Sequence, residues 1–211
     1  MDSAVSKKQR LMPILSEVRN TTAYYLTQPA VRLLAKTPIT PSAITWFGFL
    51  LAGGAAALII IGHLFAAGFV VLIAGFFDLL DGALARHTNQ ATRFGAVLDA
   101  TLDRLSEAVL LLGILVLYAR EQSVAHILLV GVALLGSLLV SYIRARAEAL
   151  GLECQVGLFT RAERVIVLAL GLLLSQIDNA FLVIALAIIV IFSFFTIGQR
   201  LIYVWQQTKI R

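Results

Sequence analysis

Residues 78–103 read DLLDGALARHTNQATRFGAVLDATLD, and eight positions within that stretch decide how the chain is to be understood. Asp78, Asp81, Gly82, Ala85, Arg86, Gly95, Asp99 and Asp103 form the pattern D-x2-D-G-x2-A-R-x8-G-x3-D-x3-D. The sequence on either side is apolar, so the four carboxylates lie inside runs of membrane-crossing length. Ionisable groups in such runs are expensive and mark a functional site by default. Their spacing narrows the reading. Asp78 and Asp81 are i, i+3 on one helix and Asp99 and Asp103 are i, i+4 on the next, so each pair shares a helix face. Two such faces brought together form an oxygen-rich cage suited to a hard divalent cation such as Mg2+.

Composition sets the surroundings of this motif. The 211 residues are 60% hydrophobic and 14% charged, with mean hydropathy +0.91. A soluble domain is about 45–50% apolar and about 25% charged. The chain is therefore expected to be a polytopic membrane protein, not a soluble enzyme with one anchor, and no nucleic-acid partner is expected. The single cysteine, Cys154, excludes an internal disulfide and carries no metal motif. Lys7, Lys8 and Arg10 are not followed by an apolar run before Pro13, so a cleavable signal peptide is not expected.

Apolar runs fall near 44–62, 65–85, 95–119, 123–143, 163–177 and 180–200. About 20 residues, within a range of about 17–25, are needed to cross the hydrocarbon core. The expectation is an all-α polytopic membrane protein, a single domain over 1–211 with six transmembrane helices within 42–206. The fifth run is short and could begin near Leu158. Residues 13–36 place Leu15, Val18, Tyr25, Leu26, Leu33 and Leu34 among polar neighbours, as an interfacial amphipathic helix would. Thr40-Pro41-Ser42 then opens the first spanning helix, with proline in the first turn. The run Ala52-Gly53-Gly54-Ala55-Ala56-Ala57 permits close helix packing.

Lys and Arg orient the bundle. With the N-terminus inside, nearly all of them fall at inner ends and loops, and only Arg120 lies at an outer one. Both termini and all four aspartates are then cytoplasmic, within reach of water-soluble substrates. Arg86, one turn after Gly82, could hold a phosphate bidentately. Metal, arginine and carboxylates together are the equipment of phosphoryl transfer. The competing reading pairs the aspartates structurally with Arg86, Arg93 and Arg104. It accounts for one such contact more readily than for four aspartates at this spacing.

At every defined position, residues 78–103 resemble the signature of the CDP-alcohol phosphotransferase family, and the resemblance extends over nearly the whole chain. It implies transfer of a substituted phosphate from a CDP-linked donor to an alcohol, with release of CMP. It implies that Asp78, Asp81, Asp99 and Asp103 hold divalent metal, two Mg2+ ions or Mn2+, with Asp103 also the general base. Gly82, Arg86 and Thr92 would contact the CDP part, as would Ser42-Ala43-Ile44-Thr45. Many members have Asn or Asp where Ser42 stands. The same resemblance implies a homodimer.

A second basic set bears on the acceptor. Arg144, Arg146, Arg161, Arg164 and Arg200 lie on the same side as the aspartates. They read either as a pocket for a doubly charged phosphate or as inner anchors, snorkelling or paired with Glu148 and Glu163. The segments SYIRARAEALGL (141–152), GLFTRAER (157–164), Gln199-Arg200-Leu201 and Thr92–Arg104 resemble the bacterial phosphatidylinositol phosphate synthases and their archaeal counterparts. That resemblance implies CDP-diacylglycerol as donor, inositol 1-phosphate as acceptor, and Arg144, Arg161 and Arg200 as the acceptor-phosphate residues. Many actinobacterial members have Lys at Arg144 and Pro at Ala162. It also implies the plasma membrane of a prokaryote as the location.

Two rivals remain at this stage. One is the same chemistry on glycerol 3-phosphate. The other is a cation or proton transporter, which the clustering of the aspartates at one membrane face disfavours. Glu107, one turn after Asp103, reads equally as a group orienting Asp103, as an extension of the metal shell, or as a polar helix contact. His63, His87 and His126 have no ligand spacing. Trp46, Phe194, Phe195 and Trp205 read as lipid-facing or belt residues.

Overall fold

The computed structural model describes residues 27–152, 154 and 156–209. Among these, residues 27–34 are helical, followed by six helices: α1 (Pro41–Ile60), α2 (Leu64–His87), α3 (Arg93–Arg120), α4 (Val124–Ala149), α5 (Arg161–Leu174) and α6 (Ala180–Lys209). No strand occurs among the described residues. Four of the helices, α1, α2, α4 and α6, are long and apolar enough to cross a membrane.

The helices that begin at the aspartate end are set by their caps. Thr40 accepts the Ala43 N–H at 3.3 Å with Pro41 at the first helical position, as the sequence suggested. Thr92 accepts the Gly95 N–H at 2.9 Å. Thr160 donates its backbone N–H to Glu163 at 2.7 Å, one arm of a capping box. That box starts α5 at Arg161, so Leu158 and Phe159 stay in the preceding loop. The helix is 14 residues long, about 21 Å at 1.5 Å per residue, against an apolar thickness of about 30 Å.

Each helix packs chiefly on two others, and the order closes into a ring: α1 on α2, α2 on α5, α5 on α6, α6 on α4, α4 on α3, and α3 back on α1. All six contribute to one core, including Ile59, Val71, Ile114, Val130, Leu172 and Leu186, each buried. The small-residue run of α1 lets α3 approach closely. Ala52, Ala55 and Ala56 are buried, and a Cβ on Gly113 of α3 would lie 3.1 Å from the Ala56 carbonyl oxygen. Trp46, Phe194, Phe195 and Trp205 are exposed on the outside of the ring, as belt or lipid-facing residues would be.

A smaller cluster joins residues 27–34 to the aspartate end. Val31, with Ala30, Leu34 and Ala35 against it, packs on Ile44, Leu80 and Leu84. Residues 13–26 of the expected interfacial helix lie outside the described residues. At the far end Arg120 donates to the Ile60 carbonyl at 2.6 Å, closing the C-terminus of α1.

Candidate functional site

Two cavities open at the end formed by the N-termini of α1, α3 and α5 and the C-termini of α2 and α4. The first, about 410 Å³, is walled by Thr40, Pro41, Ser42 and Thr45 of the α1 start, Asp81, Gly82, Ala85 and Arg86 of α2, the turn residues Gln90 to Thr92, and Gly95, Ala96 and Asp99 of α3. The second, about 370 Å³, lies between α3, α4, α5 and α6. Its walls include Asp99, Asp103, Arg104, Ser141, Arg144, Glu148, Thr160, Arg161, Arg164 and Arg200. Asp99 belongs to both.

Of the residues expected to contact CDP, Ser42, Thr45, Gly82, Arg86 and Thr92 line the first cavity. Ala43 and Ile44 do not, and Ile44 is buried against Val31, Leu80 and Leu84. A Cβ on Gly82 would meet only Arg86 Nη1, at 3.5 Å. Protein packing therefore does not demand glycine there, and its effect is to leave the cavity floor open. Gln90 and Ala91 line the same cavity. They fall among the positions between Arg86 and Gly95 that the motif leaves undefined, so no sequence signal marked them.

The carboxylates are differently engaged. Asp81 is buried; its Oδ1 accepts the Gly82 N–H at 2.5 Å and its Oδ2 has no hydrogen-bond partner. Asp78 accepts from Arg161 Nη2 at 2.5 Å, and Asp103 pairs with Arg161 Nη1 at 2.6 Å. Room for Asp78 comes from Gly48 on α1, where a Cβ would lie 2.9 Å from Asp78 Oδ1. No sequence signal marked Gly48, because the contact joins two helices. An all-oxygen donor set with a buried, unpartnered carboxylate oxygen is chemically fit for a hard divalent cation. Among the described residues no three carboxylates converge as they stand on one ion position. The guanidinium of Arg161 bridges two of them instead.

The three arginines expected to hold the acceptor phosphate all reach the second cavity, by different means. Arg144 is half-exposed and pairs with Glu148 at 2.8 Å, one turn along α4. Arg161 is held by the aspartates. Arg200 is buried, donating to the Val156 carbonyl at 2.8 Å and to the Val140 carbonyl. It thereby ties the loop before α5 to α4. Gly157 completes that tie: its φ is +149°, and a Cβ would meet Thr196 Cγ2 at 3.0 Å and Arg200 Nε at 3.2 Å. Arg146 is exposed and does not line the cavity.

Glu107 is resolved as neither a metal-shell residue nor a support for Asp103. Its two oxygens take Arg164 Nε at 2.6 Å and Nη2 at 2.8 Å, a bidentate pair with both side chains almost wholly buried. Cys154 is free and buried in the loop before α5, where burial pushes its thiol pKa up.

The family model described as CDP-alcohol phosphatidyltransferase matches residues 38–195. The archaetidylinositol phosphate synthase of Methanothermobacter thermautotrophicus is 41% identical over 167 residues, covering 79% of this chain and 83% of that protein. The phosphatidylinositol phosphate synthase of Mycobacterium marinum is 38% identical over 188 residues, covering 85% and 80%. A crystal structure of Mycobacterium tuberculosis phosphatidylinositol phosphate synthase with CDP-DAG bound matches with a TM-score of 0.78 at 36% identity, covering 86% of this chain and 94% of that one. The same enzyme in complex with manganese and citrate matches at 0.77, covering 85% and 88%. With the signature complete across α2 and α3 and the family model spanning most of its length, the chain belongs to the CDP-alcohol phosphatidyltransferase family.

Proposed function

We propose that this chain transfers the phosphatidyl group of CDP-diacylglycerol to inositol 1-phosphate, forming phosphatidylinositol phosphate and CMP. The observation that carries this reading is the pair of cavities meeting at Asp99. One is rimmed by the motif and the other by arginines, with Asp103 in the wall of the second. The names of the relatives support inositol phosphate as acceptor.

In this reading Ser42, Thr45, Gly82, Arg86 and Thr92 hold the CDP part. Asp78, Asp81, Asp99 and Asp103 hold two Mg2+ ions, or Mn2+. When bound, the metal neutralises the pyrophosphate and stabilises the departing phosphate. Arg144, Arg161 and Arg200 form the acceptor-phosphate wall and keep the acceptor hydroxyl beside Asp103. Asp103 accepts the hydroxyl proton as the oxygen attacks the phosphorus that bears diacylglycerol. The bond from that phosphorus to the CMP oxygen breaks, and CMP leaves.

The same proposal takes all six helices as transmembrane. α3 and α5 close the ring made with the four apolar helices, and the short α5 places its charged first turn at the depth of the aspartates. The chain sits as a homodimer in a prokaryotic plasma membrane, with both termini and the site cytoplasmic.

The test supplies membranes expressing this chain with CDP-diacylglycerol, Mg2+ and labelled inositol 1-phosphate or glycerol 3-phosphate in parallel. A lipid product with inositol phosphate alone is expected. A product with glycerol phosphate alone would keep the aspartate chemistry and reassign the arginine cavity. An arm with an ether-linked CDP-lipid reads the donor class.

A further inference from the structure

We infer that Arg161 is an exchangeable counter-ion: it competes with a divalent cation for Asp78 and Asp103, and its release from them makes it available to the acceptor's phosphate. Cation and acceptor then bind cooperatively through this one side chain. The inference rests on the proposed assignment of the four aspartates to a divalent cation.

Two arginines one turn apart on α5 face two carboxylates one turn apart on α3, and their pairings differ. Arg164 holds Glu107 with two parallel hydrogen bonds, and the two side chains are 1% and 8% exposed. Its Nη1 also reaches the Phe159 carbonyl at 3.5 Å. That pair is dry and saturated. Arg161 instead divides itself between Asp78 and Asp103, giving each one nitrogen. Its Nε is buried without a partner, while its side chain is 23% exposed in the wall of the second cavity.

One positive charge shared by two carboxylates is a weaker counter-ion than two charges at the same place, since Coulomb attraction scales with the charge. A cation would also find Asp81 Oδ2 already without a partner. Once free of the carboxylates, Arg161 stays near. It is the first residue of a helix fixed by its capping box and, one turn on, by the Arg164–Glu107 pair. Its fork then suits the two oxygens of a phosphate in the cavity it already lines. The coupling runs both ways: a phosphate that draws Arg161 away frees the carboxylates and tightens cation binding.

The experiment uses the purified full chain in detergent without CDP-lipid, so that no turnover occurs. Mn2+ binding is read from the EPR signal of the free ion, and inositol 1-phosphate binding by calorimetry with and without Mn2+. For the wild type, inositol phosphate should bind about fivefold or more tightly with saturating Mn2+. Arg161→Gln should bind Mn2+ several-fold more tightly than wild type and lose the Mn2+ dependence of phosphate binding. Equal or weaker Mn2+ binding by Arg161→Gln overturns the inference, as does coupling that survives in it, which would mean that phosphate meets the cation directly. The wild-type comparison needs no variant, and an absent Mn2+ effect there overturns it as well. Asp81→Asn separates the two levels. Weakened Mn2+ binding in that variant upholds the aspartate assignment even where the Arg161 inference fails, whereas unchanged binding removes both.

Discussion

The first cavity is drawn from residues 40–99, whereas the second takes its walls from helices α3 to α6, residues 99–200. In the first, the start of α1 meets one continuous stretch from α2 through the turn into α3, and along that stretch the residues keep the order and spacing of two adjacent helices. In the second, residues up to about a hundred positions apart meet only because α4, α5 and α6 are neighbours in the ring. Local spacing builds one half of the site and tertiary packing the other, and substitutions should divide along the same line.

Asp103 lies in the wall of the second cavity, one turn along α3 from the shared Asp99, and as the proposed base it is where the largest effect is expected. General-base catalysis contributes roughly 10²–10⁴-fold, and Asp103→Asn removes the acceptor of the proton while keeping the side-chain shape. CMP release from CDP-lipid and inositol phosphate should fall by at least that factor, with the thermal melting curve unchanged. Residual turnover near wild type would take Asp103 out of the base role and leave it only a cation ligand.

The next effect is on stability and belongs to the second half alone. Glu107→Leu strands the buried Arg164 charge, a defect of about 3–5 kcal/mol. Melting temperature measured in detergent should drop sharply. The double variant Glu107→Leu/Arg164→Met replaces both charges by apolar groups and should recover most of the loss. A single variant that melts like the wild type would show that water reaches this pair.

Legibility follows the same division. The spacing of Asp78, Asp81, Asp99 and Asp103 was readable because helix periodicity turns spacing into a shared face, and Thr40-Pro41 was readable as a helix start. The arginines were readable as a cationic side of the membrane but not by role, because role depends on the partner each one finds. Arg200 donates to backbone carbonyls, Arg164 finds Glu107, and Arg161 finds two carboxylates. Gly48 was silent for the same reason, since it makes room for a side chain on another helix, and Gly157 was legible as part of the 157–164 segment but not as the residue that makes room for Thr196 and Arg200. The beginning of α5 could have been anticipated: Thr160 followed three residues later by Glu163 is a capping-box signature, and it outweighs the apolar character of Leu158 and Phe159.

Gly157 tests whether the loop tie governs the acceptor half. Its φ of +149° strains any residue with a Cβ, and a Cβ there would stand 3.0 Å from Thr196 Cγ2 and 3.2 Å from Arg200 Nε, so those side chains would have to give way. Gly157→Ala should destabilise by about 1–3 kcal/mol and displace the Arg200 guanidinium. KM for inositol phosphate should rise while KM for CDP-lipid stays unchanged. A rise in both would mean that the two cavities are mechanically coupled through α3.

The smallest effect separates the halves most cleanly. Arg144 is half-exposed and its pairing with Glu148 is an i, i+4 surface contact, of a kind that contributes about 0.3–0.5 kcal/mol. Arg144→Gln should therefore leave the melting temperature almost unmoved, while it removes one positive charge from the rim of the second cavity. KM for inositol phosphate should rise several-fold at low salt and less at high salt, because a rim charge acts through a screened field. Arg86→Gln makes the mirror-image change at the first cavity and should raise KM for CDP-lipid instead. If both variants shift the same KM, the assignment of one substrate to each cavity fails, whatever becomes of the aspartates.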